Sequence, residues 1–307
     1  MLSDIRERFE RLRSLRRRDR RTSLILVGET ACACLELLAR HASRHEIGWG
    51  GAGEKIYDVF AVSGDVQLFS RAVNRALFVP DAQSFEQDWR LFVDALTQSR
   101  GRLALTGIDA DVVDRLAYTA VIGFGATVDI FGTGDRGGPG TFFEALVGPV
   151  ISMLTERIEA GAVLVDLPDG SAESVPVDLS FFGEARDPVL VVPTKISTRE
   201  RISQAFVHQA ILNKALAPRI VRSALCVGNE NNMFKERGQP RGVSSATVRD
   251  TLVPRTIVQY QRYIAELSGL YYLDPPHTYQ TVPLPGFPRV ERFHALLTGD
   301  LEALLTG

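Results

Sequence analysis

The strongest hydrophobic pattern lies over 84–98, where Phe85, Trp89, Phe92, Val93 and Leu96 recur at helical spacing between polar residues. That spacing predicts an amphipathic helix with the stripe turned into a core. Over 4–21 a narrower stripe of Ile5, Phe9, Leu12 and Leu15 is ringed by arginines, which predicts a charged helix with a thin packing seam. The same stretch also reads as a phosphate-contacting arm or an oligomer contact. Helices over 30–43 and 110–120 make the first 125 residues mainly helical.

The pattern changes near 131. The stretch 131–140, FGTGDRGGPG, is a Gly-rich loop, and a helix follows with Phe142, Phe143, Leu146, Val150 and Leu154 on its apolar positions. The loop lacks the Gly-Lys-Ser/Thr ending of a phosphate-binding loop and stands outside a βαβ unit, which argues against a nucleoside triphosphate site. Short apolar runs at 162–167, 175–182 and 188–194 predict strands, the last two joined as a hairpin through 183–187. A helix is predicted from Ser197, a strand over 219–227, a polar loop over 229–241, and helices over 256–268 and 289–305. The order predicts an α/β fold, a mixed central sheet flanked by helices, with a helical N-terminal part. A soft division falls between 1–125 and 126–307.

Composition narrows the function classes. The 307 residues carry 35 Lys+Arg against 37 Asp+Glu, a formal charge of −2, so no bulk positive charge holds this chain to nucleic acid or membrane. No apolar run reaches the length of a membrane span, and the charged opening lacks the apolar stretch of a secretory signal. Cys32, Cys34 and Cys226 make no disulfide framework, which predicts a reducing cytoplasm. Of the five histidines only His41 and His45 stand at i, i+4, with no further ligand pattern, so they read as surface residues.

The candidate chemistry lies between Glu144 and Gln209. Val175, Val177, Leu179 and Phe181 alternate with Pro176, Asp178 and Ser180, so Asp178 points away from an apolar strand face. The next strand is apolar until Lys195. A carboxylate and an ammonium at one end of a hairpin, with a second carboxylate, can hold Mg²⁺ against a phosphodiester and orient the attacking water.

Asp178, a turn, and Val192-Pro193-Thr194-Lys195 with a helix after it resemble the PD-(D/E)xK nuclease motif, with Pro193 where the second acid normally stands. The pattern is similar to type II restriction endonucleases of the EcoRII/NgoMIV group, which recognise targets built on CC and GG and take that acid from a helix. The resemblance implies a restriction-endonuclease-like core and Asp178 and Glu144 as metal ligands, because the alternative helix position after the lysine is Gln209. It implies Lys195 as the residue that positions or activates water. Arg199-Glu200-Arg201 resembles the group's base-reading triplet, with Gln204 beside it and Arg201 also near the scissile phosphate. Arginine pairs with guanine O6 and N7, and a carboxylate accepts from cytosine N4. The resemblance further implies double-stranded DNA as substrate, Mg²⁺ as cofactor, a homodimer or tetramer, and a protecting DNA methyltransferase.

Plainer readings stand beside these. Ser197-Thr198-Arg199-Glu200 is a capping box, which makes Glu200 a helix cap. Arg199 and Arg201 read as surface charges, Lys195 as a snorkelling strand end, and Asp178 as a strand-bend residue. Glu156, Glu159 and Asp166 compete with Glu144. His208 reads as packing, or as a residue near DNA. Asn229, Asn231, Asn232, Lys235, Arg237 and Arg241 form a candidate DNA clamp. Two rival functions share the core: a structure-selective repair or recombination nuclease, and a non-catalytic DNA-binding protein.

Overall fold

Asp19 breaks the long N-terminal helix that the hydrophobic stripe suggests. Its carboxylate accepts the Thr22 N–H at 3.0 Å and caps a new helix, so the chain opens with α1 (Leu2–Leu15) and α2 (Arg20–His41). The computed structural model describes residues 2–51, 53–62, 68–132, 137–166, 169–183, 187–198, 202–235, 246–281 and 285–306. In α1, Ile5, Phe9 and Leu12 are buried as their spacing requires. Helix α2 starts ten residues before the expected 30. It is apolar and long enough to cross a membrane by length and composition, but it packs against α1, α3 (Ala82–Gln98), α4 (Ala110–Phe131) and α5 (Gly138–Thr155) with most of its length buried. It is a core helix.

Two sheets share the chain. The first has six strands: β1 (Ser43–Trp49), β2 (Tyr57–Val62), β3 (Leu68–Phe69) and β4 (Val73–Asn74), with two later ones introduced below. None of these four short strands was legible in a first half expected to be mainly helical. The second sheet has seven: β5 (Ile158–Asp166), β6 (Ala172–Phe182), β7 (Pro188–Val191), β8 (Thr194–Lys195), β9 (Arg222–Asn229), β12 (Gly269–Asp274) and β13 (Val290–Arg292). Strands β5, β6 and β7 pair antiparallel, and β7, β8, β12 and β13 join through parallel pairs around β9 and β12.

Between them α6 (Ile202–Ala215) follows β8, and β10 (Asn231–Lys235) and β11 (Ala246–Asp250) follow β9. The expected polar loop at 229–241 is thus strand at Asn229 and again over Asn231–Lys235. Strands β10 and β11 return to the first sheet, β11 pairing parallel with β1, so the division expected at 125/126 is crossed. The chain closes through α7 (Pro254–Tyr263), β12, α8 (His277–Thr281), β13, α9 (Phe293–Ala295), a π-helical turn Leu296–Asp300, and α10 (Leu301–Thr306).

Alternation along β9 divides the layers. Ala224 and Cys226 join the main core with α4 and α5, in which Phe124 and Phe142 stack at 4.3 Å. Leu225 and Val227 join Phe206 of α6 and Ile257 of α7 on the other side. Beyond Leu15, Arg16 binds Glu144, Arg17 binds Glu159, and Arg20 donates to the Ser152 and Arg157 carbonyls. These three arginines clamp α5 and β5; they are neither a solvated fringe nor a free phosphate arm.

Candidate active site

Strand β6 does not alternate as expected. Against β5 its register jumps from Ala160↔Ser180 to Ala162↔Pro176, so Val177, Asp178 and Leu179 together oppose Gly161. Such a bulge re-aims side chains. Leu179 and Phe181 enter the main core, whereas Val175 and Val177 pack with Leu212 of α6 in a separate cluster. Asp178 sits where the two halves of the strand change allegiance.

The partner strand is interrupted at the same level. Pro193 has no N–H, so β7 and β8 are separate pieces along β9, although Val192 still donates to the Leu179 carbonyl at 2.8 Å. The next amide, Thr194, meets the bulge and donates to Asp178 Oδ2 at 2.9 Å in place of a main-chain carbonyl. Lys195 Nζ donates to the same oxygen at 2.6 Å. Both bonds made to Asp178 by the described residues fall on Oδ2. The carboxylate is 27% exposed and the lysine 15%. A partly solvated carboxylate whose Oδ1 accepts no hydrogen bond from the described residues suits a divalent cation, since Mg²⁺ takes one or two protein carboxylates and completes its shell with water and substrate phosphate. Among the described residues no group of three potential ligands converges, so such an ion would depend on those further oxygens.

The other expected residues fall as follows. Glu144 lies on α5, which packs against β8, and its carboxylate is bound by Arg16 at 2.5 Å. It makes no hydrogen bond or ion pair with Asp178 or Lys195. Of its competitors, Glu159 is bound by Arg17 at 3.2 Å, Glu156 by Arg100 at 2.7 Å, and Asp166 is exposed at the end of β5. Burial pushes the Glu159 carboxyl upward, with Arg17 and Arg16 opposing. Arg199, Glu200 and Arg201 lie outside the described residues, as do Arg237 and Arg241. Gln204 is exposed on the first described turn of α6. Residues 196–198 are not helical, and α6 is described from Ile202, so the helix does not start at Ser197. Gln209 is buried and donates to Asn213 and the Val221 carbonyl. Asn229 is buried, and Asn232 donates to Thr251 at 2.7 Å. His45 lies beside Ser43 at 2.7 Å with no metal grouping.

Two residues near the pair carried little signal in the sequence. His208 on α6 is half-buried; burial lowers its pKa, with the Asp178 charge opposing and the Lys195 charge adding to the lowering. Glu230, one residue beyond β9, is buried and accepts from the Thr198 amide at 3.2 Å, the Thr198 hydroxyl, and Tyr272 Oη at 3.1 Å. Its only forewarning was a polar run, Asn229-Glu230-Asn231-Asn232, after an apolar strand.

The fold has a solved counterpart. The chain aligns over 98% of its length with 97% of the chain in the crystal structure of the type IIP restriction endonuclease Kpn2I, at a TM-score of 0.79 and 24% identity. The two share a fold. The mixed α/β fold expected, a sheet core flanked by helices with a helical N-terminal part, is therefore present, and the alignment also takes in the first sheet, which was not expected. No family model matches the chain, and no curated protein matches it in sequence.

Proposed function

We propose that this protein is a metal-dependent, sequence-specific double-strand DNA endonuclease of the type II restriction kind. The observation that carries the proposal is the Asp178–Lys195 pair in the strand interruption, within a fold shared with a restriction endonuclease along almost the whole chain. A bound Mg²⁺ would polarise the phosphoryl oxygen and lower the pKa of a bound water. Asp178 Oδ1 is the protein oxygen that would hold it, while Oδ2 stays fixed by the Thr194 amide. Lys195, already directed at the carboxylate, orients the attacking water and balances charge that grows on the phosphate. Glu144 is the second acid of the proposal, supported by the packing of α5 against β8, and it serves only if Arg16 releases it.

Recognition of a site with CC/GG elements rests on Arg199, Glu200 and Arg201 together with Gln204, which is exposed on α6. Cutting both strands of a palindrome calls for a two-fold homodimer, or a tetramer built from two such dimers. A cognate methyltransferase protecting host DNA, and a cytoplasmic setting, complete the proposal. The test is incubation of the full chain with phage DNA and Mg²⁺, followed by sequencing of product ends. Discrete fragments sharing one palindrome with CC/GG support the proposal in full. Discrete fragments without CC/GG remove only the recognition assignment, cutting governed by DNA structure favours a repair nuclease, and DNA bound but uncut across salt conditions favours a non-catalytic binder. Glu144→Gln checks the second acid: a metal ligand loses cleavage on the order of a hundredfold or more, and a mere partner of Arg16 does not.

A further inference from the structure

Glu230 is a buried carboxylate with no part in the chemistry above. It is 1% exposed, and it stands alone between the last residue of β9 and the first of β10. Both of its oxygens face the Thr198 amide at 3.2 Å, Oε1 also accepts the Thr198 hydroxyl, and Tyr272 Oη approaches Oε1 at 3.1 Å. Thr198 is itself fully buried. A charged or polar group removed from water this completely is retained only where its hydrogen bonds are met, and here one threonine meets most of them.

The neighbouring contacts hold the same segment. Asn229 N–H donates to the Ile196 carbonyl at 2.9 Å. Gly228 lies so close beneath that a Cβ there would stand 2.9 Å from the same carbonyl oxygen. On the other side, Thr251 N–H donates to the Glu230 carbonyl at 2.7 Å, which ties the junction to the segment after β11. The end of β9 thus grips Ile196–Thr198, the three residues that separate Lys195 from Arg199-Glu200-Arg201 in the chain.

We infer that Glu230 is a positioning residue that fixes Thr198, and through it sets the base-reading triplet relative to the Asp178–Lys195 pair. This rests on the nuclease reading above. The physical reason is connectivity. Lys195 is paired to β9 opposite Val227, and Thr198 is bound three residues further along the same strand's exit, so both ends of a three-residue link are anchored on one rigid element. Where such a link is fixed, bases can be read only in one register against the scissile phosphate. Loosening it lets the triplet engage imperfect sites while the cutting pair stays intact.

The test compares three variants with the wild type on a duplex carrying the site mapped from phage fragments, and on duplexes altered at one base pair of it. Glu230→Gln keeps size but loses a full set of acceptors, Thr198→Val removes the hydroxyl, and Tyr272→Phe removes the donor that is not linked in the chain to the triplet. Thermal melting of each variant sets an assay temperature at which all are folded. The expected result is that the ratio of kcat/KM between the mapped and altered sites falls about tenfold or more in Glu230→Gln and Thr198→Val, as loss of one base-pair discrimination requires. Tyr272→Phe should keep the wild-type ratio despite a lower melting temperature. Equal loss of rate on both duplexes, or the same ratio change in Tyr272→Phe, would make Glu230 a fold residue and overturn the inference alone. Absence of cutting by the wild type overturns the nuclease reading, and this role with it.

Discussion

Two Asp–Lys pairs each use the last residue of a strand of the seven-stranded sheet, Lys195 of β8 and Asp274 of β12, and their lengths are almost equal. Asp178 and Lys195 meet at 2.6 Å, Asp274 and Lys55 at 2.7 Å. Their surroundings differ. Asp274 is 3% exposed; its Oδ1 accepts Lys55 and Asn74, and its Oδ2 accepts Tyr57 Oη at 2.9 Å. Lys55, Tyr57 and Asn74 belong to the first sheet or its connections, so this pair bolts the two sheets together. Asp178 is 27% exposed and accepts both of its bonds from the described residues on Oδ2. Distance between unlike charges therefore says little about role. Burial and the number of bonds from the described residues distinguish the two: the Asp274 pair is a fastening, and the Asp178 pair is the one proposed as a site.

Matched substitutions can break that comparison. Lys195→Met should reduce cleavage by on the order of a hundredfold or more with DNA binding and melting temperature little changed, as gel-shift and melting measurements would show. Retained cleavage would remove Lys195 from the chemistry. Lys55→Met should do the reverse: stability falls by about 3 kcal/mol, because Asp274 remains buried without its cation, while the rate per folded molecule survives. A denaturation series read alongside cleavage at low temperature separates the two effects.

Glu230 supplies an effect of similar size that depends on pH. Burial pushes its carboxyl up to about 7 from an ordinary 4.5, with the hydrogen bonds of Thr198 and Tyr272 opposing. A carboxyl raised in the folded state binds its proton more tightly there than in the unfolded chain. Its stabilising share is present below about 4.5 and is lost as pH rises through about 7, amounting to about 3 kcal/mol at about 1.4 kcal/mol per pKa unit. Wild-type melting temperature should thus fall between pH 5 and 8 by more than that of Glu230→Gln, and parallel curves would place the titration elsewhere. The smallest effect sharpens the comparison from outside. Arg90 and Glu86 meet at 2.5 Å on an exposed helix face, and Arg90→Ala should cost only a few tenths of a kcal/mol in chemical denaturation.

What could be read from the chain follows the reach of each interaction. The helix over 84–98 was legible because its stripe is local, and it forms as Ala82–Gln98 with Phe85, Trp89 and Phe92 buried. Asp178 and Lys195 were legible because a hairpin brings them together across a short turn. The bulge was not, since Val175, Val177, Leu179 and Phe181 alternate evenly and only the pairing with β5 shows that the faces switch. Strands β1 to β4 are short and gain their sheet partly from β11, about two hundred residues away in sequence, so no local pattern announces them. Glu230 is legible only once β9, β12 and the exit from β8 are side by side. Asp19 was visible but undervalued: a single capping carboxylate outweighed an apparently continuous stripe.

The passage from one sheet to the other at Glu230 has a consequence for how this chain can vary in length. Strand β9 ends at Asn229 and β10 starts at Asn231, with Glu230 as the single residue between. An insertion there would slide β10 along β11 by one position and turn each of its side chains to the opposite face. A deletion would remove the residue that grips Thr198. Change by gain or loss of residues, the commonest fate of a surface connection, is closed to this junction, and variation there is confined to exchange of one side chain for another.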